Sequence, residues 1–189
     1  MGGSIWSRTA APSTGGKRLR HSTGNAQPMP RIAILSDTHI PSRRAALPGF
    51  VREELAAADF AIHAGDFDSR EALETIRDLA GDLTAVSGNM DRGMDLPRVA
   101  TRTAGGVTFV VTHGTGSRHD YEERVAGIVR EHDPNAVGIS GHSHEVLDTE
   151  VAGVRLLNPG SATGASTDRT TMYRAEVLDG EIDLELLEG

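Results

Sequence analysis

Residues 31–39 read RIAILSDTH. Arg31–Ser36 is a short, mostly apolar run, the mark of a buried strand, and it passes straight into Asp37-Thr38-His39. The same pattern returns twice. Phe60–His63 is a second buried strand ending in Gly65-Asp66, and Leu83–Ser87 is a third ending in Gly88-Asn89. Between them lie two helical stretches, Pro48–Ala58 and Ser69–Ala80, the second with Ser69 as N-cap and Glu71 and Glu74 in its early turns. This βαβαβ rhythm predicts a parallel sheet.

Downstream the rhythm changes. Arg98–Thr103 and Val107–Thr112 flank Gly105-Gly106, which predicts a β-hairpin. Tyr121–His132 reads as a helix and Ala136–Ser140 as a strand ending in Gly141-His142. Shorter strands are expected at Glu145–Val151, Val154–Leu157, Thr171–Val177 and Glu181–Leu187, the last two joined by the hairpin dipeptide Asp179-Gly180. Two β-rich halves with helices predict an α/β fold, a four-layer α/β/β/α sandwich of two mixed sheets flanked by helices.

The chain has 189 residues, which suits one domain with one sizeable core. Residues 1–28, rich in Gly, Ser, Thr, Pro and Arg, show no apolar periodicity and are expected to be a disordered tail or the product of a start called too early. Residues 29–189 are expected to form the domain. No run approaches the roughly 18 apolar residues of a spanning helix, and no secretory signal is apparent, so a cytoplasmic location with no membrane partner is expected. Cysteine is absent, which excludes disulfides, thiolate metal sites and cysteine nucleophiles. Any metal must be held by His, Asp, Glu, Asn or backbone oxygen. All 27 acidic residues lie from Asp37 onward, against 14 of the 19 basic ones, a net of -13 for that part. So acidic a body argues against broad nucleic-acid binding, which needs basic patches. It leaves open a small phosphate ester held by metal.

Each polar signature follows an apolar strand: Asp37-Thr38-His39, Gly65-Asp66, Gly88-Asn89-Met90-Asp91, His113-Gly114 and Gly141-His142-Ser143-His144. Ligands of open α/β sheets bind beyond the carboxyl ends of the strands, so five such loops can converge on one site. Asp37 and His39 are two apart, as are His142 and His144, and in extended backbone such pairs point the same way. Mixed imidazole and carboxylate donors suit Mn, Fe, Zn, Co or Ni better than Ca or Mg. Asp66 is the natural bridging carboxylate. Any one of these signals alone is commonplace; all five at strand ends point to a metal pair with Asp37, His39, Asp66, Asn89, His113, His142 and His144 as ligands.

The ordered set Asp-x-His, Gly-Asp, Gly-Asn-x-Asp, His-Gly, Gly-His-x-His resembles the calcineurin-like metallophosphoesterase family, and most of all its small single-domain prokaryotic phosphodiesterase branch. Ile62-His63-Ala64-Gly65-Asp66 and Asn158-Pro159-Gly160-Ser161 are similar to that branch too, and the resemblance covers about residues 31–187. It implies two divalent ions, often manganese, the first on Asp37, His39, Asp66 and His144 and the second on Asp66, Asn89, His113 and His142. It implies a phosphodiesterase acting on a small phosphodiester or nucleotide through a hydroxide generated between the metals, with Asn89, Asp91 and His113 in the catalytic role. The other functions in view are a phosphomonoesterase of the same superfamily and a non-catalytic scaffold of this fold for protein partners. Homo-oligomerisation stays open.

Two positions depart from the fuller family pattern. Many relatives carry His after the Gly-Asn as general acid; here Met90 cannot transfer a proton, a loss expected to slow esters with poor leaving groups. Thr115 stands where relatives often read His-Gly-His, which predicts a changed pocket wall. Asp91 is expected either to orient the Asn89 loop or a ligand histidine or to stabilise a turn. His63 is expected to be structural and Asp68 to be a loop or helix-start acid. His119 reads as a surface histidine that could replace the missing acid if its loop folds over the site. Arg92 and Arg118 flank motif loops and could contact a substrate phosphate, and Asn158 and Ser161 are expected to shape a turn.

Overall fold

The structure is a computed structural model that describes residues 29–189; the expected tail at 1–28 lies outside them. Its strands are β1 (Arg31–Leu35), β2 (Phe60–His63), β3 (Leu83–Ala85), β4 (Val99–Ala104), β5 (Val107–Thr112), β6 (Val137–Ile139), β7 (Val146–Val151), β8 (Val154–Pro159), β9 (Thr171–Leu178) and β10 (Glu181–Glu188). Its helices are α1 (Gly49–Ala57), α2 (Arg70–Ala80) and α3 (Tyr121–His132). One sheet runs β10-β9-β1-β2-β3 and the other β4-β5-β6-β8-β7. In the first, β1, β2 and β3 are parallel while β9 and β10 pair antiparallel. In the second, β5, β6 and β8 are parallel, with β4 and β7 antiparallel at the two edges.

The central strands are mostly apolar because both of their faces are covered. In β1, Ile32 and Ile34 join Phe60, Ile62, Phe109, Val111, Ile139 and Leu157 in the core between the sheets. Ala33 and Leu35 point the other way, into a second core with Val51 and Leu55 of α1 and Leu73 and Ile76 of α2. On the far side, α3 lays Val125, Ala126 and Val129 over Val110 and Leu156. The layers are therefore helices, sheet, sheet, helix, the four-layer sandwich expected from the sequence.

Local chemistry sets the helix ends. The Ser69 hydroxyl accepts the Ala72 N–H at 3.1 Å, capping α2. In α3, Glu122 and Glu123 lie in the first turn and Arg130 and His132 in the last, complementing the helix dipole. β3 and β6 are each two residues shorter than the sequence predicts. β3 stops at Ala85 because Ser87 leaves the ladder and donates its N–H to the Pro97 carbonyl at 2.8 Å. β6 spans only Val137–Ile139, and Ser140 bonds back to the Leu157 carbonyl at 2.9 Å as the chain turns toward His142.

Candidate metal centre

All seven residues expected as ligands lie just past strand ends. Asp37 and His39 follow β1, Asp66 follows β2 and Asn89 follows β3, all from the first sheet. His113 follows β5, and His142 and His144 follow β6, from the second. Asp37, His39 and His144 offer donor atoms within 4.8 Å of one another, and so do Asp37, Asp66 and His113. Asp66 Oδ2 lies 3.6 Å from His39 Nε2 and 3.4 Å from His113 Nε2, between the two imidazoles. Asp37 Oδ1 lies 3.1 Å from His144 Nε2, and His39 Nε2 is 3.2 Å from His144 Nε2. Asn89 Oδ1 closes the other end, 3.2 Å from His113 Nε2 and 3.0 Å from His142 Nδ1. Asp37, and not Asp66, the bridge expected from the sequence, is thus common to both donor groups, and Asp66 belongs to one of them.

The backbone here is held in a costly form. Asp37, His39, Asp66, Asp68, His142 and His144 all have positive φ, between 47° and 74°. For residues other than glycine this costs on the order of 1 kcal/mol each and persists only where the surroundings enforce it. The enforcement is visible. Asp37 N–H donates to Gly65 O and His39 N–H to Asp66 O. Ser161 Oγ donates to Asp37 O and Thr163 Oγ1 to Thr38 O, each at 2.8 Å. Left-handed backbone at Asp-x-His and His-x-His also corrects the extended geometry expected from their spacing: the paired side chains converge through two tight turns, not along a strand.

Two glycines allow the loops to close. A Cβ on Gly88 would collide with the Asp66 carboxylate, and one on Gly141 would sit 2.7 Å from Asp37 Oδ2 and 3.1 Å from Ala64 O. Both positions are thereby restricted to glycine for a steric reason.

The polar partners fix the imidazoles. His39 Nδ1 donates to Asp68 Oδ1 at 2.9 Å, which leaves its Nε2 lone pair aimed at the cluster. His113 Nδ1 donates to the Ala64 carbonyl at 2.7 Å with the same result. Asp68 is therefore the site residue that the sequence reading assigned to a loop. Its spacing of two from Asp66 was the available signal, but the partner lies 29 residues away. Asp91, expected among the catalytic residues, is buried and turns its carboxylate away from the donor cluster. Oδ2 accepts the N–H groups of Asp66 and Gly88, both at 2.8 Å, and Oδ1 those of Phe67 at 2.7 Å and Asp68 at 3.1 Å. It positions the Asp66 and Asn89 loops through their backbone.

Other expectations resolve by position. His63 is fully buried, accepts the Gly65 N–H on Nδ1 at 3.1 Å and stacks on Phe67 with centroids 3.7 Å apart. Burial drives its pKa down to about 3, against the partial opposition of the Asp37 and Asp66 charges. Asn158 donates to Tyr121 Oη, Gly141 O and Ser143 Oγ, and so braces the His142-Ser143-His144 turn from below. His119 is exposed and lies beside Arg118, Glu122 and Glu145 in a separate surface pocket. Arg118 donates to Ser143 O and pairs with Glu145, so its charge is already engaged. Met90 is 42% exposed and gives the site only its N–H, donated to Asp66 Oδ1 at 2.8 Å.

The donor set fits a divalent metal on physical grounds. Asp37 and Asp66 are buried carboxylates whose charged neighbours are histidines; among the described residues neither pairs with Lys or Arg. Buried anions require compensation. With Nδ1–H committed to Ala64, a neutral His113 turns an Nε2 lone pair toward the Asp66 carboxylate. That is repulsive unless a cation or a proton lies between. Burial lowers the His113 pKa, but the Asp66 and Asp37 carboxylates and the Ala64 carbonyl outweigh it and raise the imidazole above its ordinary value. Burial likewise raises Asp66, and His113, the Met90 N–H and His39 outweigh it and hold the carboxyl below its ordinary range. In addition, His144 Nδ1 is buried with no hydrogen-bond partner among the described residues. A cation held by these donors takes the proton's place, which couples metal binding to proton release.

Comparison with known proteins agrees with this geometry. The family model of the Calcineurin-like phosphoesterase superfamily domain matches residues 30–180. A probable metallophosphoesterase of Methanothermobacter thermautotrophicus is 35% identical over 162 residues, covering 82% of this chain and 91% of the relative. Another from Methanocaldococcus jannaschii is 34% identical over 132 residues, covering 70% of this chain and 68% of the relative. Among solved structures, Vps29 of Entamoeba histolytica complexed with zinc superposes with a TM-score of 0.64 at 25% identity, covering 84% of this chain and 98% of that one. By family model, relatives and fold, the chain belongs to the calcineurin-like phosphoesterase superfamily.

Proposed function

We propose that the protein hydrolyses a small phosphodiester or nucleotide, with two divalent ions, manganese by preference, held by Asp37, His39, Asp66, Asn89, His113, His142 and His144. The observation that carries this reading is the pair of overlapping donor groups, joined through Asp37 and flanked by Asp66, at the shared mouth of two sheets. The family match and the names of the archaeal relatives support a hydrolase of phosphate esters. Bound there, divalent ions supply Lewis acidity toward phosphoryl oxygens and lower the pKa of water.

The chain's own residues orient the rest. Asp68 and Ala64 fix the tautomers of His39 and His113, so that both Nε2 atoms face inward. Asp91 holds the two carboxylate-bearing and amide-bearing loops in register. Met90 offers no proton to a leaving group, so the reaction relies on leaving groups that depart as anions. A diester with one good leaving group suits that limitation.

The fold likeness to Vps29 raises the second reading, a scaffold for protein partners. That Vps29 is itself complexed with zinc, so metal on these donors fits either reading and turnover has to separate them. Hydrolysis of bis(p-nitrophenyl) phosphate and of p-nitrophenyl phosphate, with Mn²⁺ and with chelator, separates the readings. Metal-dependent turnover with the diester preferred is the expected result. A monoester preference would reassign the substrate class, and no turnover with Mn²⁺, Fe²⁺, Co²⁺, Ni²⁺ or Zn²⁺ would leave the scaffold.

A further inference from the structure

A groove of about 650 Å³ opens beside the donor cluster. Asn89 and His113 form one end of it, Arg92 and Arg98 line it from the β3–β4 connection, and Ile128 and His132 line it from the end of α3. Its volume lies within the roughly 300–1,000 Å³ typical of small-molecule sites. Arg92 and Arg98 are both exposed, and among the described residues neither side chain makes a hydrogen bond or ion pair. Arg52 and Arg130 share that state, but neither lines the groove. Arg31, Arg102, Arg124, Arg155 and Arg174 each meet a carboxylate. In a body with 27 acids against 14 bases from Asp37 onward, partners are plentiful.

Two other charges border the groove and do not neutralise it. The Asp91 carboxylate is spent on four backbone N–H groups. Glu131 lines the groove from α3, one acid against two guanidiniums. A guanidinium binds phosphate oxygens through paired N–H donors, and a terminal phosphate carries about two negative charges near neutrality.

Resting on the phosphoesterase reading above, we propose that Arg92 and Arg98 form a subsite for a second phosphate, so that the substrate is a phosphate ester carrying a further phosphate group. The scissile phosphate lies at Asn89 and His113, and the second lies along the groove between the arginines. Ile128 and Met94 offer apolar surface for the part of the molecule that joins the two.

The test uses p-nitrophenyl thymidylate with and without a second phosphate on the far ribose hydroxyl. The native protein is expected to favour the doubly phosphorylated substrate in kcat/KM by on the order of 10-fold or more, mostly through KM. In Arg92→Gln/Arg98→Gln that ratio is expected to fall to near one. A calorimetric arm compares thymidine bisphosphate with thymidine monophosphate on chelator-treated protein. The bisphosphate is expected to bind more tightly to the native chain and to lose that advantage in the variant. A native ratio near one, or one that the double substitution leaves intact, overturns the subsite. Failure to hydrolyse either substrate would sink the phosphoesterase reading instead, and the binding arm would still decide for or against the subsite.

Discussion

His63 gives the fold a predictable weakness toward acid. Its ring is fully buried, its Nδ1 accepts a backbone N–H, and its pKa is driven from 6.5 to about 3. An imidazole whose folded pKa lies below its unfolded value contributes its full share to stability above the unfolded pKa. That share is lost as pH falls toward the folded one, because the unfolded chain takes up a proton that the native ring refuses. Between pH 7 and pH 5 the unfolded His63 goes from mostly neutral to almost fully protonated, and the native ring stays neutral. At 1.36 kcal/mol per pH unit, integration over this interval costs about 2 kcal/mol, equivalent to roughly 4–8 °C in Tm for a chain of this size. The assay is urea unfolding at both pH values in the presence of chelator, for the native chain and for His63→Gln. Glutamine does not titrate, so the variant is expected to be less stable at pH 7 but to lose about 2 kcal/mol less on acidification. Equal acid sensitivity in the two chains would refute the argument that His63 is held neutral by burial.

Two further predictions concern the site. Asp68→Asn removes the charge that holds the His39 tautomer and is expected to weaken Mn²⁺ binding by roughly 10–100-fold, measured by metal titration, with the urea midpoint in chelator nearly unchanged; unaltered Mn²⁺ affinity would show that His39 needs no such partner. Met90→His places a proton donor beside Asn89 and is expected to raise kcat on a methyl or alkyl diester by on the order of 10-fold while barely changing p-nitrophenyl esters. Equal effects on both kinds of leaving group would show that protonation is not what the native site lacks.

The architecture was legible because its strands are covered on both faces. Ile32-Ala33-Ile34-Leu35 sends alternate side chains into two different cores, so the run carries no polar position and announces a central strand. The end of β3 was less legible. Thr84, Ala85 and Ser87 carry no strong signal, and the strand stops where the Pro97 carbonyl captures the chain. At the site, residue types and their order pointed to the cluster, since five strand ends each carry a metal-capable side chain. What the spacing concealed was conformation. Asp37, His39, His142 and His144 take left-handed backbone under hydrogen bonds from loops more than a hundred residues away, such as Ser161 to Asp37 O. The roles of Asp68 and Asp91 were hidden for the same reason: each is defined by partners that only the tertiary fold brings near.

The likeness to Vps29 and the likeness to metallophosphoesterases describe one architecture, and fold alone does not choose between a scaffold and an enzyme. The choice rests on what the two sheets must do to build this site. Asp37, His39, Asp66 and Asn89 ride on one sheet and His113, His142 and His144 on the other. Each donor group spans the division, since Asp37 meets His144 in one and His113 in the other. The separation of the sheets is set by Ile34, Ile62, Phe109, Val111 and Ile139 in the core directly beneath, and close-packed side chains of this kind tolerate little displacement. A slip of one ångström between the sheets would part His113 from Asp66 while leaving both sheets and their outer surfaces intact. Presenting a surface does not by itself require that alignment, nor the six left-handed residues at the site and the buried Asp37 and Asp66 carboxylates. Each of those features costs stability, and the benefit they share is a set of lone pairs converging where phosphate chemistry needs cations.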